Sequence, residues 1–80
     1  MNKKEKTLII FIQELSEVII EASKLMDKNN TDEDSTKFEI KIGGVFAVIA
    51  KLAEHKIIKE DDLIQYADKR LKSLTKWDNI

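Results

Sequence analysis

Three glutamates with a simple spacing are the residues of this chain best suited to chemistry. Glu14, Glu17 and Glu21 follow one another at intervals of three and four residues. In an α-helix these intervals return side chains to one face, at about 100° per residue. Carboxylates grouped in this way are ligands that Mg²⁺ prefers. A complete site needs further oxygen ligands from elsewhere, and residues 41–45, which are followed by an apolar run, read Lys-Ile-Gly-Gly-Val with no acid. Half of a metal site is predicted without its other half.

The order of these motifs resembles the MazG-like family of all-α nucleoside triphosphate pyrophosphohydrolases, including its small phage-type relatives. That family reads Glu-Glu-x-x-Glu on one helix, a polar loop, then Glu-x-x-Asp on the next helix, and these acids bind the magnesium that activates water. Residues 13–17 match the first motif as Gln-Glu-Leu-Ser-Glu, residues 41–44 match the second, and the similarity covers nearly the whole chain. The resemblance implies that Glu14 and Glu17 remain, while three acids are replaced by Gln13, Lys41 and Gly44.

Lys41 is the replacement with the largest expected consequence, because it brings an ammonium to a wall of carboxylates. We expect it to neutralise Glu14 and Glu17 as the metal otherwise would, which preserves the fold and removes catalysis. Glu21 is a further weak ligand of the remnant site. Glu39 is a less suitable substitute, since its spacing from Lys41 places it on another side of a helix. The alternative is that the glutamates form only a solvated face.

Other candidate residues carry weaker signals. Four basic residues are candidates for phosphate contacts, or alternatively complement the end of a helix: Lys69, Arg70, Lys72 and Lys76. His55 has no nucleophile or acidic partner nearby in sequence and is expected at the surface or at a helix cap. Trp77 is expected to dock the chain end onto the bundle. There is no confident catalytic residue, glycine-rich phosphate loop or zinc spacing.

Length and composition limit the class of protein. Eighty residues make one domain, and 14 basic against 15 acidic residues give a net charge of −1. We therefore expect no general attraction to DNA, RNA or a membrane. The absence of cysteine excludes a disulfide scaffold, a thiolate zinc site and a thiol nucleophile. The apolar stretch at residues 8–12 is too short for a membrane span and lacks a signal-cleavage pattern, so a cytoplasmic protein is expected.

The apolar pattern predicts an all-α bundle with three main helices, over about residues 4–26, 38–54 and 60–76. Residues 27–36 are polar and predict a mobile loop. Residues 37–42 alternate as in a strand, but no second strand exists to pair with, which favours a helix. Gly43 and Gly44 inside that helix indicate close packing or a local break. The predicted buried stripes are Leu8, Phe11, Leu15, Val18, Ile19 and Ala22 in the first helix and Leu63, Ala67, Leu71 and Leu74 in the third.

Three isoleucines, Ile9, Ile10 and Ile20, lie off the predicted core face of the first helix. A single chain would leave these side chains exposed to solvent. We therefore expect them to form an interface with a second subunit, giving a homodimer or a higher homo-oligomer. Scattered exposed isoleucines are the alternative.

These features predict a non-catalytic MazG-like protein that binds a nucleotide or a protein partner and needs no cofactor. A phage or mobile-element origin, with a host protein as partner, is what the resemblance implies. The alternative is a magnesium-dependent enzyme that cleaves a nucleoside triphosphate to monophosphate and pyrophosphate, using Glu14 and Glu17. A purely structural dimer is a third possibility. The lost acids disfavour the enzyme, because water activation and phosphate neutralisation require the metal.

Overall fold

The computed structural model describes residues 1–80 and contains three α-helices and no strand. Helix α1 spans Lys3–Leu25, α2 spans Asp32–Glu54 and α3 spans Glu60–Trp77. The prediction of an all-α protein with three main helices is therefore confirmed. No helix combines the length and the apolar character that crossing a bilayer demands.

Helix α2 begins at Asp32, well before the predicted start near residue 38. The reason is a capping box in its first turn. Thr31 Oγ1 accepts the backbone N–H of Asp34 at 3.3 Å, and the Asp34 carboxylate accepts the backbone N–H of Thr31 at 2.9 Å. Two otherwise unpaired donors are thereby satisfied. The prediction of a loop over residues 27–36 was wrong for residues 32–36, and only residues 26–31 connect α1 to α2.

The end of α2 is also fixed by backbone hydrogen bonds. Lys56 has a positive φ of 59°, its N–H bonds to the Ala53 carbonyl at 3.0 Å, and the Ile57 N–H bonds to the Leu52 carbonyl at 2.9 Å. This pair of bonds is a Schellman motif, which normally places glycine where Lys56 stands. The chain therefore turns sharply before α3.

Helices α1 and α2 pack side by side as an antiparallel hairpin, since Glu17 contacts Lys41 whereas Thr7, nearer the start of α1, lies beside Lys51. The core between them is narrow. Only four residues are buried, two of them apolar and two polar: Val48, Leu52, Thr7 and Glu21.

The predicted core face of α1 is wrong in part. Leu15 is exposed, and Ile19 is 66 % exposed. The reason is that α1 turns the face carrying Thr7 and Glu21 toward α2, so its widest apolar stripe points elsewhere.

Helix α3 does not bury its predicted stripe. It contains no buried residue, Leu63, Ala67 and Leu71 are exposed, and only Leu74 is half-buried. The helix makes no extensive contact with α1 or α2, whose mutual packing is the only large helix pair. Trp77 is 75 % exposed rather than docked, with Lys76 Nζ 5.0 Å from its ring centroid.

The chain is flat rather than spherical. Its extents are 42 × 33 × 15 Å and its radius of gyration is 15.0 Å. A compact domain of this length has a radius of gyration of about 12 Å. The chain alone therefore leaves much of its apolar surface in contact with solvent.

Candidate functional site

Helix α1 turns Glu14 and Glu21 toward α2, while Glu17 keeps partial contact with solvent. Thr7, Glu14 and Glu21 recur every seven residues, which keeps them on one side of the helix. Thr7 and Glu21 are buried and Glu14 is half-buried. This placement disfavours a merely solvated face for Glu14 and Glu21. We call Glu14, Glu17 and Glu21 the acidic face.

Lys41 on α2 reaches the acidic face directly. Its Nζ donates a hydrogen bond to Glu17 Oε2 at 3.1 Å, and both side chains keep partial contact with solvent. The hydrogen bond to Glu17 and the charge of Glu17 raise the pKa of Lys41 above its usual value, opposed by desolvation and helped by the charges of Glu14 and Glu21. The ammonium is therefore held in its charged form.

Glu14 lies against Gly44, where the family pattern places an acid. A Cβ built on Gly44 would collide with Glu14 Oε2 and lie 3.2 Å from Glu14 Cδ, whereas a Cβ on Gly43 meets no atom within 4 Å. The missing side chain of Gly44 therefore gives the Glu14 carboxylate its room. Gly43 has no such role, although the two residues are adjacent.

Glu21 is the most enclosed member of the acidic face, at 9 % exposure. Its Oε1 accepts a hydrogen bond from Lys24 Nζ at 3.3 Å, and its Oε2 is buried with no hydrogen-bond partner. Burying a carboxylate oxygen without a hydrogen-bond partner costs free energy, so Glu21 lowers the stability of the folded hairpin. Sequence analysis missed Lys24 as the partner, although its three-residue spacing from Glu21 was a usable signal.

The side chains present do not fit a magnesium ion. Glu14, Glu17 and Glu21 do not converge, and no group of three or more Asp, Glu, His or Cys side chains could hold a metal. Mg²⁺ requires near-octahedral oxygen ligands at short distance. Instead Glu17 is bonded to Lys41 and Glu14 is turned toward Gly44. The acidic face thus contains one tethered cation and no assembled ligand set.

The basic residues of α3 are not brought to the acidic face. Arg70 Nη1 lies 3.0 Å from Ser73 Oγ and 3.6 Å from Asp78 Oδ2, and Lys72 Nζ lies 3.1 Å from Asp68 Oδ2. Lys69 and Lys76 belong to the same helix, which packs on neither α1 nor α2 extensively. Arg70 and Lys72 thus have partners within α3 and at its C-terminal end.

A cleft of about 250 Å³ lies on the hairpin, toward the open end of α1 and α2. Its lining is Thr7, Ile10, Val48, Lys51 and His55. Lys51 is already paired with Glu54 at 2.8 Å, and that pairing lowers the pKa of Glu54. Ile9, Ile10 and Ile20 are all exposed in the single chain.

Comparisons with protein-family models, with curated proteins and with solved structures find no match to this chain. The resemblance to the MazG-like family therefore stays a prediction that rests on the order and spacing of its motifs. The molecule itself defines an all-α helical hairpin with an attached third helix and an ion pair across the hairpin.

Proposed function

We propose that this chain is a non-catalytic, MazG-like helical protein that acts by binding, with a protein as its partner. The observation that carries the proposal is the 3.1 Å contact between Lys41 Nζ and Glu17 Oε2. It puts a fixed ammonium on the carboxylate that a catalytic metal would need. A phage or mobile-element origin, as the resemblance implies, is part of the proposal.

The charge of the site supports a binder over an enzyme. Hydrolysis of a triphosphate in this family needs a metal to activate water and to neutralise the phosphates. An ammonium cannot activate water in this way, because it holds no coordinated water molecule whose pKa could fall. The Glu17 carboxylate already accepts a hydrogen bond from Lys41, and the Glu14 carboxylate lies against Gly44.

The same charges favour a protein over a nucleotide as the ligand. Three carboxylates face Lys41, the one cation bonded to the acidic face from α2, so a polyanion would be repelled there. The nearby cleft is below the usual size range of small-molecule sites, about 300–1,000 Å³. Its lysine, Lys51, is paired with Glu54. Large apolar side chains are exposed on all three helices, which suits a protein partner better.

A nucleotide panel with Mg²⁺ tests the proposal, with pyrophosphate release and thermal shift measured on the same samples. We expect neither release nor a shift from the unmodified chain. Release that Glu17→Gln abolishes would establish the pyrophosphohydrolase instead. A shift without release would replace the protein partner with a nucleotide.

A pair of lysine variants tests whether the tethered ammonium keeps metal away. Lys41→Glu restores an acid opposite Glu17, so we expect Mg²⁺ or Mn²⁺ to raise its unfolding temperature. The matched control is Lys37→Glu, one turn earlier on α2, where the lysine pairs with Glu33 at 3.6 Å. Micromolar metal binding by the unmodified chain, removed by Glu14→Ala, would contradict the proposal.

A further inference from the structure

The only tryptophan, tyrosine and arginine of the chain lie along one edge of α3. Tyr66, Arg70 and Trp77 are separated by four and seven residues, which places them within about 40° of one another around the helix. Tyr66 is 67 % exposed, and the Arg70 side chain is 62 % exposed. The hot spots of protein–protein interfaces are enriched in these three residue types. We call Tyr66, Arg70 and Trp77 the aromatic edge.

A groove of about 310 Å³ lies at the N-terminal end of the aromatic edge, where the connection from α2 joins α3. Its lining is mostly apolar: Ile57, Ile58, Lys59, Asp62, Leu63 and Tyr66. Because Tyr66 belongs to both features, the groove and the edge form one continuous surface. A closed cavity of about 150 Å³ holds a benzene molecule. The groove therefore has room for one large apolar side chain.

Basic residues dominate the C-terminal half of α3, which carries the rest of the aromatic edge. Residues 69–77 include four basic residues and no acidic residue. Arg70 Nη1 lies 3.6 Å from Asp78 Oδ2, and both side chains are at least half exposed. An exposed ion pair of this kind contributes little to stability, so an external carboxylate can compete with Asp78 for Arg70. The surface is complementary to a ligand with an apolar group at one end and carboxylates at the other.

The length of this surface sets the size of the ligand. Tyr66 and Trp77 are 11 residues apart, which is about 16 Å along a helix that rises 1.5 Å per residue. An extended peptide covers about 3.3 Å per residue. A segment of about five extended residues therefore spans the distance from the groove to Trp77.

We propose that the groove and the aromatic edge are the docking surface for an acidic, extended segment of the partner protein. One large apolar side chain of the segment fills the groove beside Tyr66. The carboxylates that follow it pair with Arg70, whose guanidinium can donate two parallel hydrogen bonds to one carboxylate. This inference rests on the proposed function, which assigns a protein as the ligand, and it adds the surface and the chemistry of that ligand. The acidic face takes no part, because α3 packs extensively on neither α1 nor α2.

Two synthetic peptides of equal length test the proposal, with binding followed by Trp77 fluorescence and by calorimetry. One peptide is Phe followed by five Glu, and the other is Phe followed by five Lys. We expect saturable binding of the acidic peptide and none of the basic peptide. No binding of the acidic peptide, or equal binding of both, would overturn the proposal. Five Glu without Phe should bind about tenfold more weakly, and equal affinity would show a non-specific cationic patch instead.

Arg70→Gln and Lys72→Gln form a matched pair of variants, since each removes one positive charge from an exposed position of α3. Lys72 lies about 160° from Arg70 around the helix, away from the aromatic edge. Arg70→Gln should weaken binding of the acidic peptide about tenfold, whereas Lys72→Gln should leave it nearly unchanged. Equal losses in the two variants would contradict the proposed surface.

Other occupants of this surface would give different results. If a second copy covered it, dilution without peptide would shift the Trp77 emission and Tyr66→Glu would remove the shift. Binding to phosphatidylserine vesicles without binding to the acidic peptide would assign the surface to a membrane. Either result would overturn the proposal. Pyrophosphate release from a nucleotide would refute the proposed function whether or not the peptide binds, whereas absence of both release and peptide binding would refute this inference alone.

Discussion

Gly43 and Gly44 are adjacent in α2, but alanine should affect them differently. Glycine inside a helix is less favourable than alanine by about 1 kcal/mol, because its backbone loses more freedom on folding. A Cβ at Gly43 enters open space. Gly43→Ala should therefore gain about 1 kcal/mol, which corresponds to a rise of about 4–8 °C in Tm for a domain of this size.

Gly44→Ala should gain less, because the new methyl group collides with the Glu14 carboxylate. Glu14 ends in a flexible arm, so it can rotate away, and the cost is the loss of its present position against Gly44. We expect part of the gain of about 1 kcal/mol to be cancelled. Removing the obstacle should restore it: in a Glu14→Ala background, Gly44→Ala should stabilise the chain as much as Gly43→Ala does.

Thermal and urea unfolding of the four variants, followed by circular dichroism at one protein concentration, measure these differences. The fixed concentration matters, since association would make Tm depend on it. The informative quantity is the non-additivity between Glu14→Ala and Gly44→Ala. Equal gains from Gly43→Ala and Gly44→Ala in the unmodified background would show that Glu14 does not lie against Gly44, and the reasoning about this site would fail.

The remaining predictions concern the helix cap and the dependence on pH. Thr31→Ala removes the side-chain half of the capping box and should cost about 1 kcal/mol in urea unfolding, whereas Thr36→Ala inside α2 should not destabilise. Hydrogen bonding from the Thr31 backbone N–H lowers the pKa of Asp34. The Asp34 carboxylate therefore stabilises the fold above its ordinary pKa of about 3.9, and this stabilisation is lost as the pH falls further. Asp34→Asn should reduce the fall of Tm with decreasing pH in this acidic range. Hydrogen bonding and charge from Glu17 raise the pKa of Lys41. The stabilisation that Lys41 gives the fold is therefore complete below about pH 10.4 and is lost as the pH rises through the raised pKa. Glu17→Gln should reduce the fall of Tm with increasing pH in this alkaline range.

The fold class could be predicted from the sequence, because apolar residues at helical spacing and the absence of a second strand leave few alternatives. The start of α2 could not be predicted from polarity alone, since Thr31 and Asp34 form a capping box inside a run of polar residues. That Thr-x-x-Asp spacing was a usable signal. It differs from the usual capping box only in having Asp in place of Glu or Gln.

The orientation of α1 could not be predicted from its own residues. The helix has an apolar stripe through Leu15 and Ile19 and an acidic face through Glu14 and Glu21, and either could turn toward α2. Hydrophobicity favoured the first, but the structure buries the second. A helical wheel gives the relative angle of two faces, whereas the choice between them depends on every helix that packs against α1.

The bond between Lys41 and Glu17 determines which solution conditions change the stability of the hairpin. If a metal ion held the acidic face together, stability would rise with metal concentration, because a ligand that binds only the folded state shifts the equilibrium by mass action. A lysine that belongs to the same chain has no such dependence. Its contribution varies with pH and salt instead, through its own protonation and through screening. The contact that Lys41 makes with Glu17 therefore needs no bound ion.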